Sequence, residues 1–185
     1  MTALQAQQEH LANLLTAVQR NVYFLAAAER EIPWPLDAVA LTTRKKDESL
    51  YLTLSAFNER YSKLQDLLGV TMRHAAFLLG ERTDEFLHVL VWFEKQGVID
   101  SVENWQLLRL ARNQAAHEYE TDYETIADHF NTLFELLPTL HAVARRLTEL
   151  CKHRLMIGPS EDDFAHDFEN ITGTGLGAQK SSRSL

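Results

Sequence analysis

One helical stretch of this sequence brings together three polar side chains that could act on a phosphodiester. Asn113 and His117 are four residues apart, which puts them on one face of a helix. Arg112 lies about 100° to one side, with a side chain long enough to reach back. A guanidinium that is always charged, beside an imidazole that titrates near neutral pH, suits cleavage of RNA by its own 2′-hydroxyl. We therefore take the three residues as a candidate catalytic group.

The same residues also have a structural interpretation. Arg112 can pair with Glu118 or with another acid, and Asn113 and His117 can satisfy neighbouring backbone groups. An arginine, a polar residue, three spacers and a histidine form a loose pattern, so its meaning depends on the structure around it. The two interpretations differ in whether Arg112 and His117 face a groove that a nucleic acid can enter.

The motif Arg112-Asn113-x-x-x-His117-x-Tyr119, which precedes an amphipathic helix, resembles that of the HEPN family of small helical proteins. The similarity is greatest to HepT-like members, which are encoded beside minimal nucleotidyltransferases as toxin and antitoxin. It covers roughly residues 83–150. The resemblance implies a metal-independent RNA endonuclease that acts as a toxin, with Arg112, Asn113 and His117 as its catalytic residues.

The resemblance also implies a role for each residue. We expect His117 to act as general base or acid, Arg112 to stabilise charge on the scissile phosphate, and Asn113 to orient His117 or the phosphate. Family members commonly act as homodimers, so we expect a composite site between two copies of this helix and a 2′,3′-cyclic phosphate product. Tyr119 is expected to be adenylylated by the partner nucleotidyltransferase, which would block the RNA phosphate by bulk and negative charge. Considered apart from the motif, Tyr119 is interpreted as an amphipathic residue at a helix end.

A non-catalytic function is the alternative. Some relatives are accessory or substrate-binding subunits of nucleotidyltransferases, and the formal net charge of −8 agrees with such a role. That charge argues against broad nonspecific nucleic-acid binding, which depends on Lys and Arg neutralising phosphates. A chain with this net charge can still be a nuclease if it has a local basic groove, and it can also dock to a basic protein. A helical dimer with an unrelated small ligand is a third possibility, and the sequence specifies no such ligand.

The composition predicts a helical globular protein. The chain has 185 residues, of which 45% are hydrophobic and 24% charged, with only seven Gly and four Pro. The longest apolar runs fall short of a membrane span and no charged-then-apolar leader opens the sequence, so we expect a cytoplasmic protein. The single Cys151 excludes an internal disulfide and a cysteine-rich zinc site. Because metal-ligand spacings and glycine-rich phosphate loops are also missing, we predict no metal and no other cofactor.

The apolar periodicity predicts an all-α protein, an antiparallel bundle of about five helices in residues 1–155. The resemblance implies that this bundle is HEPN-like. Stripes over residues 3–30 and 48–79 are long enough to form an antiparallel hairpin as one wall of the bundle. The third helix, residues 84–96, is apolar almost all round, which predicts deep burial or a subunit interface. Beyond residue 155 the pattern gives way to Gly, Ser, Asp and Thr, so we expect residues 156–185 to form a mobile tail.

Capping patterns predict where the last three helices begin. Thr83 precedes two acids at the start of the third helix. Asp100 with Glu103, and Thr121 with Glu124, form capping-box-like pairs before the fourth and fifth helices. The fourth helix carries the candidate catalytic group, so its packing decides what that group faces.

Overall fold

The computed structural model describes residues 2–114 and 122–173, and within those ranges all of the regular structure is helical. Seven α-helices follow one another: α1 (Ala3–Arg30), α2 (Ala38–Thr43), α3 (Glu48–Leu78), α4 (Phe86–Lys95), α5 (Val102–Gln114), α6 (Tyr123–Leu150) and α7 (Ala165–Gly173). A π-helical turn, Cys151–Leu155, extends α6. The predicted all-α bundle is confirmed, and its five predicted helices correspond to α1, α3, α4, α5 and α6. None of the described helices is long and apolar enough to cross a bilayer.

The α1–α3 pair is the antiparallel hairpin that the periodicity predicts. Near one end of the pair, His74 Nε2 donates a hydrogen bond to the carbonyl of Gln7 (2.9 Å). Near the other end, Asn21 Nδ2 donates to the carbonyl of Arg60 (2.8 Å). Residue numbers therefore rise along one helix as they fall along the other. One continuous core takes in the inner faces of α4, α5 and α6 together with those of α1 and α3. The leucines that α1 and α3 contribute to it are Leu11, Leu15, Leu25, Leu50, Leu54, Leu64 and Leu68.

The connection after α1 is fixed against α6. The indole ring of Trp34 stacks on Phe134 with 4.4 Å between ring centroids. Asn131 brackets Leu36 with two hydrogen bonds, because its Oδ1 accepts from the Leu36 N–H (2.8 Å) and its Nδ2 donates to the Leu36 carbonyl (3.0 Å). These contacts hold the prolines that end α1 against the bundle and lead the chain into the short helix α2, which the sequence did not predict.

The predicted start of the third helix is wrong. α4 begins at Phe86, and the residue before it, Glu85, makes no side-chain capping bond. The acid that was expected in the first turn, Asp84, instead accepts a hydrogen bond from Arg82 Nη2 (2.9 Å). The carboxylate of Asp84 therefore pairs with Arg82 before α4 begins, although the capping pattern placed it in the first turn of the helix.

The predicted cap of the fourth helix is also wrong. Ser101 caps α5, because its Oγ accepts from the N–H of Asn104 (3.0 Å). Asp100 is engaged elsewhere and accepts from Arg146 Nη1 on α6 (2.7 Å). For α6, the carboxylate of Asp122 accepts from the first backbone N–H groups of the helix. The other predicted cap, Thr121, lies outside the described residues.

The apolar third helix buries only one of its faces. Val89, Leu90 and Phe93 are buried, whereas Leu87 and Val91 on α4 are 53% and 38% exposed. Packing also continues beyond the end of the predicted bundle. α7 lies against α1 and α6 with Phe168 buried, so the compositional boundary at residue 155 does not coincide with the end of the packed chain. Residues 174–185 of the predicted tail lie outside the described residues.

Candidate functional site

The fourth predicted helix, α5, has one inner and one outer face. Trp105 is 1% exposed, and Arg109 and Arg112 follow it at intervals of four and three residues, so the three share the face that turns towards α3. On the outer face, Leu107 and Leu110 are 52% and 55% exposed. α5 therefore has a basic edge that faces α3 and, on its outer side, an apolar stripe formed by Leu107 and Leu110.

A basic groove runs between the start of α1, the second half of α3, and α5. Its volume is about 680 Å³, and among the described residues its titratable lining consists of Arg73, Arg109, Arg112, His10, His74 and Asp66. Three arginines and one acid give this lining a formal charge of +2 with both histidines neutral, whereas the whole chain carries −8. A concave surface of one sign concentrates ligands of the opposite sign, so the basic groove suits an anion.

Arg112 is held at the edge of the basic groove by an acid on another helix. Its Nη2 donates to Asp66 Oδ2 on α3 (2.9 Å), and the two side chains are 30% and 50% exposed. A guanidinium has five N–H donors, so this contact leaves donors available to a ligand. Asp66 therefore fixes the position of Arg112 while it offsets part of its charge.

The floor of the basic groove is aromatic. A Cβ atom added to Gly69 on α3 would lie 3.4 Å from Phe86 Cζ and 3.7 Å from Trp105 Cζ2, which is ordinary van der Waals contact, so both rings pack closely over α3 at this position. The guanidinium carbon of Arg73 lies 5.2 Å from the centroid of the Phe86 ring, within the range of a cation–π contact. The buried Nε1 of Trp105 has no hydrogen-bond partner among the described residues.

Two histidines meet where α1 and α3 form one end of the basic groove. The rings of His10 and His74 are edge to face, with centroids 4.8 Å apart. Because a carbonyl only accepts, the hydrogen bond to Gln7 assigns a proton to His74 Nε2, which leaves Nδ1 of the neutral ring as its acceptor. Phe77, one turn further along α3, is 55% exposed, and its ring centroid lies 6.1 Å from that of His74.

The predicted site residues are described only in part. Arg112 lines the basic groove, and Asn113 is exposed at the next position of α5, between Arg112 and the outer stripe. His117 and Tyr119 lie outside the described residues, as does Glu118, the acid first considered as a partner for Arg112. Among the described residues no group of three His, Cys, Asp or Glu side chains is arranged to hold a metal ion.

Most of the lining of the basic groove was not predicted. Asp66 and Arg73 are seven residues apart and His74 follows directly, so a shared face of α3 could have been recognised from their spacing. The position of this face opposite α5 could not be recognised from the sequence, because the contact between Arg112 and Asp66 spans 46 positions. Arg109 lies three residues before the motif, and the sequence pattern assigns it no role.

Comparison with known proteins gives no match to this chain among family models, curated proteins or solved structures.

Proposed function

We propose that this protein is a metal-independent RNA endonuclease, the HEPN-type toxin of a toxin–antitoxin pair, and that the scissile phosphate binds in the basic groove beside Arg112. One observation carries the proposal. Arg112, the arginine of the motif, lines a groove of formal charge +2 in a chain of net charge −8. Because sequence-independent RNA binding depends on cations that neutralise phosphates, this groove is a surface on which an acidic protein can hold RNA.

The proposed reaction needs no group other than side chains and the RNA itself. His117 takes the proton of the 2′-hydroxyl, the 2′-oxygen attacks phosphorus, and the bond to the 5′-oxygen breaks as that oxygen receives a proton from the protonated form of His117. The products are a 2′,3′-cyclic phosphate and a 5′-hydroxyl. Arg112 stabilises the charge that grows on the phosphoryl oxygens, and Asn113 orients His117 or the phosphate.

Asp66 acts in this proposal as a positioning residue. Asp66 accepts from Nη2 of Arg112, and no other described acid pairs with this guanidinium, so its remaining donors are available to a phosphoryl oxygen. A long side chain held by one fixed partner loses less conformational freedom when its ligand binds. The ion pair is thus compatible with phosphate binding by the same arginine.

The proposal includes a homodimer with a composite site. Leu107 and Leu110 form an exposed apolar stripe on α5, and Asn113 lies one turn beyond Leu110 on the same face. Contact of this stripe with the same stripe of a second copy would place two α5 helices side by side, with the two Asn113 side chains at the contact and one Arg112 on the groove side of each helix. Light scattering should show that Leu110→Asp lowers the molar mass to that of a monomer. The control Leu52→Asp, at a position 72% exposed on α3, should leave it unchanged.

Control by a partner follows from the same resemblance. The proposed antitoxin is a minimal nucleotidyltransferase that adenylylates Tyr119 and so blocks the RNA phosphate by repulsion. Co-expression with the cognate enzyme should add the mass of AMP to the peptide that holds Tyr119, and Tyr119→Phe should abolish the addition. An unchanged peptide mass in the wild type would remove the antitoxin from the proposal.

The nuclease itself is tested by incubating purified protein with total RNA in the presence of EDTA. We expect the wild type to cleave, and Arg112→Ala and His117→Ala to lose cleavage. Arg44→Ala is a matched control, because Arg44 also pairs through Nη2 with an aspartate, Asp47, at 2.6 Å but lies outside the basic groove. Cleavage that persists in both site variants would refute the nuclease.

An accessory subunit of a nucleotidyltransferase is the second candidate function. The observation that favours it is the ion pair between Arg112 and Asp66, which is the structural role first considered for this arginine. On this view the acidic surface docks to a basic partner. A folded, unmodified wild type that leaves RNA intact while it binds the nucleotidyltransferase would favour this candidate.

A further inference from the structure

We propose that the arm of the basic groove formed by His10, Arg73, His74 and Phe77 is a second nucleotide subsite, so that the ligand is a single-stranded RNA running along α3. The inference rests on the proposed function in taking RNA as the ligand. It adds residues from α1 and α3 that lie outside the motif, and it specifies the strandedness of the RNA.

The length of the groove separates this arm from Arg112. Asp66, which holds Arg112, precedes Phe77 by eleven residues on α3, and at about 1.5 Å per residue this corresponds to roughly 16 Å along the helix axis. A single phosphate group bound at Arg112 is too small to reach the Phe77 ring over that distance. A ligand that uses both Arg112 and Phe77 must extend over more than one nucleotide.

The charges in this arm are available to a ligand. Arg73 is exposed and has no ion-pair partner among the described residues, in contrast to Arg112. Its guanidinium lies over the Phe86 ring, a contact that leaves its N–H donors free of any described acid. His10 and His74 contribute ring nitrogens beside it. The arm thus has a free cation and hydrogen-bonding groups but no acid of its own.

The exposed aromatic ring indicates a base as well as a phosphate. Phe77 is 55% exposed in a groove that also contains arginine, and bases stack on such rings with little dependence on sequence. Bases of a duplex are already stacked and paired, whereas those of a single strand can be splayed onto a protein ring. The combination of Arg73 and Phe77 therefore favours single-stranded RNA over duplex RNA.

Fluorescence anisotropy with a labelled 2′-O-methyl oligoribonucleotide tests the subsite, because this probe lacks the nucleophile and cannot be cleaved. Phe77→Ala should weaken binding by at least about fivefold, the lower end of the loss expected for one stacked base. Arg73→Gln should reduce the slope of log K against log salt by about 0.7, as expected when one contact to a single-stranded phosphate is lost. Both variants replace exposed side chains, and their folding is checked by thermal melting.

Two matched controls lie on the same helix outside the basic groove. Lys63→Gln removes an exposed cation and Leu52→Ala an exposed apolar side chain, and both should bind the probe as the wild type does. A 2′-O-methyl duplex of the same sequence should bind at least about fivefold more weakly. Unchanged binding in Arg73→Gln and Phe77→Ala, or equal affinity for the duplex, would overturn the subsite.

The subsite and the nuclease can fail separately. If the wild type does not cleave RNA but both subsite variants bind the probe more weakly, the subsite stands and the nuclease fails. If cleavage depends on Arg112 and His117 while both subsite variants bind as the wild type does, the nuclease stands and the subsite fails.

Discussion

Acid should weaken this fold through one buried histidine, His141. It lies on α6 and is 8% exposed, and its Nε2 has no hydrogen-bond partner among the described residues. Burial lowers its pKa from 6.5 to about 4, because the protonated ring would have to give up its hydration. His141 lines a cavity of about 910 Å³ beside α7, whose other charged lining residues are Glu29, Arg30, Asp100, Glu135, Arg145, Arg146 and Glu149.

The sign of this pH effect on stability follows from the difference between the His141 pKa in the unfolded chain and that in the folded chain. The unfolded chain protonates His141 near pH 6.5, whereas the folded chain resists protonation down to about pH 4. The stabilising contribution is therefore complete above pH 6.5 and is lost as the pH falls from there. The loss is about 1.4 kcal/mol per pH unit and reaches about 3 kcal/mol by pH 4. At about pH 5 it should amount to roughly 2 kcal/mol.

Urea unfolding at about pH 7 and about pH 5 measures this loss. The free energy of unfolding of the wild type should fall by roughly 2 kcal/mol more than that of His141→Gln, which has no ring to titrate. Carboxylates with lowered pKa, such as Asp84, affect both proteins equally and cancel. His153→Gln, at an exposed position, should behave as the wild type does. An equal pH dependence in the wild type and His141→Gln would refute the reasoning.

Three further substitutions test the packing and the groove. Gly69→Ala should raise the melting temperature by about 2–4 °C. Alanine favours the helix by about 1 kcal/mol, and its Cβ would meet the Phe86 and Trp105 rings at ordinary contact distance. A lower melting temperature would show that these rings leave no space for the added Cβ. Asp66→Asn should change the free energy of unfolding by less than about 1 kcal/mol, since the ion pair is largely exposed. It should also tighten binding of the RNA probe in anisotropy, because the amide oxygen of the variant can still accept from Arg112 Nη2 and hold it in position while the groove loses its described acid. Weaker binding would contradict the charge assigned to the groove. Phe93→Ala should cost about 3–5 kcal/mol in urea unfolding, because the ring is fully buried in the core; a loss below about 1 kcal/mol would contradict that packing.

The long helices were predictable because their cause is local. Apolar spacings of three and four, and the two prolines after Ile32, define α1 in the sequence, and the structure gives Ala3–Arg30. The capping predictions for α4 and α5 failed because the acids they relied on have partners far away in sequence or outside the helix. Asp100 satisfies the capping pattern of α5, yet Arg146 on α6 takes its carboxylate.

The candidate site was predictable only along its own helix. The motif identified Arg112 and Asn113, and the structure finds Arg112 at a groove and Asn113 exposed beside it. The groove as a whole could not be predicted, since it depends on how α1 and α3 pack against α5. His74, for example, lies there because of its contact with Gln7, which spans 67 positions of sequence.

The chemistry of the RNA ends tests the proposed nuclease most directly. After incubation with wild-type protein in EDTA, the 3′ ends of the cleaved RNA should carry 2′,3′-cyclic phosphates and the new 5′ ends should be hydroxyls, as mass spectrometry of the fragments can establish. Arg44→Ala should give the same ends, and Arg112→Ala should give none above background. Intact RNA with a folded, unmodified wild type, or the same cyclic ends from Arg112→Ala, would contradict the role proposed for Arg112 in the basic groove.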